Sequence, residues 1–92
     1  MDDEEIVRRL DASIDRLAKI EHERWAHWQR YMHAKGERLS DGRLVLPSDQ
    51  VARWDRQIAT PFDKLTEKEK NSDRDQVRQY YSELLTILSD RR

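Results

Sequence analysis

A mainly α fold is predicted: two long near-antiparallel helices, with a short helix and a small β-hairpin inserted between them. Three observations predict it. At 100° per residue, Ile6, Leu10, Ile14, Leu17, Trp28 and Met32 fall within about 80° of one another, the apolar stripe of a packed helix. Val77, Tyr81, Leu84, Leu85 and Leu88 share a face in the same way near the other end. Between them, Asp41-Gly42 sits among short apolar runs, a pairing that reads as a hairpin turn.

The first helix is expected over Asp3 to about Ala34, capped by Asp2 or Asp3, with the acidic start suited to the helix dipole. Gly36 stops it. Unbroken, it would run roughly 48 Å at 1.5 Å per residue. That is longer than a small domain is wide, so its first turns are expected to meet another chain. Leu39 to Leu46 reads as the hairpin, with Asp41-Gly42 supplying the positive φ angles of a type I′ turn. Pro47 and Ser48 open a helix to about Ala59, with Val51, Trp54 and Ile58 on its inner face, and Pro61 ends it. After a connector over 62–65, Thr66 and Glu69 form a capping box that opens a short helix. Ser72 with Asp75 offers a second cap, for the final helix to about Ser89, which either continues the short one or starts anew. Arg91 and Arg92 suit the negative pole at its end.

The chain has 92 residues, read as one domain over 1–92 with a thin core. Leu, Ile, Val and Phe make only about a fifth of it, close to disordered compositions. Three Trp, three Tyr and a net charge of −1 argue for folding instead. With 40% charged residues of balanced sign there is no basic excess to hold a nucleic acid polymer. No cysteine is present, so disulfides and thiolate metal sites are excluded. Met1 Asp2 Asp3 Glu4 Glu5 is acidic and lacks an apolar run, so a cytoplasmic location is expected, without a membrane partner.

Each long stripe also carries a charge. Glu21 lies inside the first stripe with Arg24 at its edge, and Arg74 falls on the face of the last one. An unpaired carboxylate taken out of water costs several kcal/mol, so Glu21 is expected to find a cation, Arg74 first and Arg24 second, as a largely buried pair.

Glu21 His22 Glu23 Arg24 Trp25, followed by Thr60 Pro61 Phe62 Asp63 Lys64 Leu65 Thr66 Glu67 Lys68 Glu69 Lys70 and then Asp73 Arg74 Asp75 Gln76 Val77 Arg78, resembles the ryanodine receptor repeat domain. That domain also occurs in short free-standing bacterial and phage proteins. The resemblance covers roughly Ala18 to Leu85. It departs at His33 to Arg38, which lacks the family's Gly-Trp-x-Tyr-Gly stretch; Trp54 is the aromatic of the inserted segment. The resemblance implies binding of adenine nucleotides, with the tryptophan matching Trp25 as the stacking surface. It also implies pairing with a second copy, because receptor repeats occur as tandem two-fold pairs.

From the residues themselves, His22, Trp25 and Gln29 form a ridge on the border of the apolar sector, where an indole can keep one face open. Stacking a base there is worth roughly 1 to 3 kcal/mol and needs charged contacts besides, for which Lys70, Arg74 and Arg78 are the candidates. Core packing of Trp25 is the competing reading. His22, His27 and His33 are spaced by 5 and 6 and point in different directions, so no metal site or cofactor is expected. Glu21 and Glu23 face different sides of the helix and cannot share a substrate, and with Gly36 and Gly42 alone there is no glycine-rich phosphate loop. The function expected is therefore non-catalytic binding of a small adenine-containing nucleotide, of ADP-ribose type or cyclic, in a homodimer. A copy this short would suit a phage or host sponge that sequesters an immune signal. The alternative is a structural or protein-interaction module that assembles through the long first helix and Trp28, Tyr31, Tyr80 and Tyr81.

Overall fold

The computed structural model describes residues 1–89, and the expectation for Arg91 and Arg92 lies outside the described residues. The fold is mainly α: α1 (Asp3–Ala12), α2 (Ile14–Ala34), strands β1 (Glu37–Arg38) and β2 (Leu44–Val45), α3 (Ser48–Ala59), a 3₁₀ turn (Phe62–Lys64) and α4 (Glu67–Leu88). These elements form two compact units, Met1–Arg24 with Ser72 onward, and Trp25–Asn71.

In the first unit the expected single helix is two, parted at Ser13. The Asp2 carboxylate accepts the Glu5 N–H at 2.8 Å and caps α1. Ten residues later Ser13 leaves the helical region (φ −105°, ψ 3°) and its N–H reaches back only three residues, to the Leu10 carbonyl. Its hydroxyl donates to the Arg9 carbonyl at 2.8 Å and accepts from the Arg16 guanidinium at 2.8 Å. Side-chain bonding of this kind competes with the helix ladder, and here it supplies the break. Ser13 is 2% exposed, so the hydroxyl lies where the stripe would have put a hydrophobe.

Helix α4 runs antiparallel to this stretch. The Arg9 guanidinium donates to the carbonyls of Ile87 (3.3 Å) and Ser89 (2.9 Å), capping the end of α4 with a cation. Arg16 pairs with Glu83 at 2.9 Å, and the Tyr80 hydroxyl donates to Glu21. Ile6, Leu10, Leu17 and Ile20 are partly covered on α1 and α2, as are Gln76, Tyr80 and Glu83 on α4. Ile87 is the one buried hydrophobe among the described residues. The predicted inward stripe of α4 is therefore corrected: Val77, Tyr81, Leu84, Leu85 and Leu88 are all exposed, and so is Ile14 of the first stripe.

The second unit starts on the C-terminal half of α2, where the rings of His27, Trp28 and Tyr31 meet edge to face at 5.3 and 5.7 Å and Lys35 covers Tyr31. Helix α2 ends at Ala34, and the Gly36 N–H closes it on His33. A Cβ at Gly36 would lie 2.8 Å from Leu44, so only glycine lets the hairpin's leucines approach. Strands β1 and β2 pair antiparallel with Glu37 opposite Val45 and Arg38 opposite Leu44. The turn is not type I′, which needs positive φ at both central residues. Gly42 alone has it (φ 93°), following a turn closed by Gly42 N–H to Leu39 C=O, with Leu39 N–H to Arg43 C=O beyond.

Helix α3 starts after Pro47 without a side-chain cap. Gln50, Trp54 and Gln57 are its covered positions, whereas Val51 and Ile58, expected inside, are exposed, Ile58 at 82%. Thr66 and Glu69 close the predicted capping box: the Glu69 N–H donates to Thr66 Oγ1 (3.2 Å) and the Thr66 N–H to Glu69 Oε1 (3.0 Å). From there α4 continues through Ser72 without a second start.

Candidate functional site

The candidate residues divide between the two units. His22, Glu21, Arg24, Arg74 and Arg78 belong to the first, and Trp25, Gln29 and Lys70 to the second.

Glu21 is half exposed, not buried, because a position on the stripe fixes an angle about the helix and not a depth. Its partners are local: Arg24, three residues on, donates through Nε at 3.0 Å and again through Nη2, and the Tyr80 hydroxyl adds a further bond. Arg24 first, then Tyr80, hold the Glu21 carboxyl down from 4.5 to about 2. In return Glu21 raises both the Arg24 guanidinium and the Tyr80 phenol above their ordinary values. Tyr80 is the member that sequence reasoning assigned to assembly instead. Its position four residues after Gln76 and three before Glu83, on one helix face, is the signal for its place here. Arg78 pairs with Asp75 at 2.6 Å on an open surface, and His22 is exposed.

In the second unit Trp25 is 56% exposed, whereas Trp28 and Trp54 are both partly covered. Gln29, one turn further along α2, is partly covered as well. The Lys70 ammonium lies 5.8 Å from the Phe62 ring centroid and 3.7 Å from Glu67, with its side chain 18% exposed. Glu69, beside it, accepts from Gln57 and from Thr66, which together hold its carboxyl down from 4.5 to about 2, Gln57 contributing most. Arg56 adds a 3.3 Å ion pair, so α3 and the first turn of α4 are clamped at one carboxylate.

Among the described residues no group of three His, Cys, Asp or Glu side chains is placed to hold a metal ion, and no helix is long and apolar enough to cross a membrane. A shallow concavity along α1, lined by Asp3, Glu4, Val7, Arg8 and Asp11, touches none of the candidate residues. No family model, no curated protein and no solved structure matches this chain.

Proposed function

We propose that this chain is a non-catalytic cytoplasmic module that binds a small adenine-containing nucleotide, of ADP-ribose type or cyclic, and works as a homodimer. The observation that carries the reading is the exposed indole of Trp25. A tryptophan is a costly side chain to leave in water, and an indole more than half exposed offers ring surface on which a base can stack. Gln29, one turn along the same helix, can pair with the polar edge of a base. Lys70 is the cation of the same unit suited to a phosphate, exchanging Glu67 for the ligand's charge. Resemblance to the ryanodine receptor repeat supports adenine over other bases, because the family's tryptophan at this place is the stacking residue. Sequestering an immune signal, as a sponge in phage or host, is the biological role that goes with this reading by analogy.

Calorimetry against ADP-ribose, adenine nucleotides and cyclic dinucleotides tests this directly. The wild type should bind one of them; Trp25→Ala should abolish binding with its helical circular dichroism unchanged; Trp25→Phe, which keeps a flat ring, should weaken it only several-fold. No heat from any of these ligands at millimolar concentration would end the nucleotide reading.

The protein-interaction reading has its own observation. Val7, Ile14, Val77, Tyr81, Leu84, Leu85 and Leu88 are exposed apolar side chains within one unit.

A further inference from the structure

Six of the seven exposed apolar residues just named follow a rule, and Leu85 extends the edge beyond Leu84. Val7 comes one residue after Ile6, which is turned toward α4, and Ile14 comes one after buried Ser13. On α4, Val77, Tyr81, Leu84 and Leu88 come one after Gln76, Tyr80, Glu83 and Ile87, the residues turned toward α1 and α2. One residue is 100° of rotation in the same sense about each axis. Because the helices run antiparallel, that rotation carries both sets to the same side of the pair. The opposite side holds Arg16, Gln79 and Thr86. The layer thus has one largely apolar face, with Val7 and Ile14 along the α1–α2 edge, exposed Asp11 between them, and the α4 residues along the other edge.

We infer that this face is covered by the same face of a second copy, giving a two-layer helical bundle in which each copy contributes α1, the start of α2 and α4. The inference rests on the homodimer part of the proposed function and names its surface; it does not depend on nucleotide binding.

Three features favour a second copy. Val77, Tyr81, Leu84 and Leu88 are spaced 4, 3 and 4, the repeat by which one helix seam fits another. A flat layer of two helices is completed by another such layer, and a two-fold axis lets one surface serve both sides. The area is also of the right size. At their exposures of 38 to 67% the seven side chains present on the order of 700 Å², more than most monomers leave open and close to the ~800 Å² per partner of a standard interface. Ile87 is the one fully covered hydrophobe among the described residues.

Sedimentation equilibrium from 1 to 100 µM is the test. The wild type should give twice the 11.2 kDa chain mass, and Leu84→Arg should give the single mass with its helical circular dichroism kept. Gln79→Arg, on the opposite side of α4, should remain a dimer. If Leu84→Arg loses its helix content, the milder Leu85→Gln replaces it and should raise the dimer Kd at least tenfold. A wild-type dimer whose Kd is unmoved by Leu84→Arg or Leu85→Gln overturns the face while leaving homodimerisation intact. A wild-type monomer at 100 µM overturns both.

Discussion

Glu21 shows how far one residue can be read from sequence. That a carboxylate on an apolar stripe needs a partner follows from the cost of desolvating it, and the structure provides one. Which partner wins is decided by reach. Arg24 lies on the next turn of the same helix and meets Glu21 with two parallel bonds, whereas helical angle alone had favoured Arg74. Tyr80 was not legible as the third member, because a phenol carries no formal charge to attract notice. Followed by carbon-detected NMR, the Glu21 carboxyl should titrate near pH 2. Arg24→Ala should move it further toward 4.5 than Tyr80→Phe does, since Arg24 is the larger cause; the reverse order would mean that the phenol dominates. Trp25 was legible as a border residue, and its exposure was not, since the same angle admits packing or stacking.

At the scale of elements, caps were the most readable feature. Asp2 and the Thr66–Glu69 box stand where the residue types put them, because each satisfies a backbone group three residues away, and Pro61 follows the end of α3 because it has no N–H to continue a helix ladder. Thr66→Ala should cost about 1 kcal/mol, seen as a few degrees in Tm. Glu69 gives the same element a pH response. Its folded pKa lies below the unfolded value, so its contribution is present above about pH 4.5 and is lost as pH falls toward about 2. Glu69→Gln can still cap Thr66, but thermal melts taken across that window should show a shallower loss of stability than the wild type; an equal slope would remove Glu69 as a source of acid sensitivity. The break at Ser13 was not readable, because a serine within a periodic stretch looks like any helix interior until its hydroxyl is seen on the Arg9 carbonyl. Ser13→Ala removes that bond and the one from Arg16 at a buried position. The α1 amides should then exchange at altered rates, while those of α3 keep theirs. The Asp41-Gly42 turn was misread for a related reason: the dipeptide suits two turn types, and the Leu39–Arg43 pairing chose between them.

For the whole molecule, periodicity gave the helices and their apolar stripes but not which stripe of α4 turns inward. Two seams lie one residue apart on that helix. The one containing Gln76, Tyr80 and Glu83 faces α1 and α2, where Arg16 meets Glu83 and Glu21 meets Tyr80. Apolar periodicity does not weigh those partners, so it points to the neighbouring seam. A fold with Ile87 as its one fully covered hydrophobe among the described residues has a small margin of stability. In the inferred dimer, association adds to that margin, and Tm should climb with protein concentration by mass action, which calorimetric scans at 5 and 500 µM would resolve. Dilution would then lower the margin without changing a residue. The amount made in a cell would set how much of the chain is paired, so expression level would govern the paired form more steeply than in proportion.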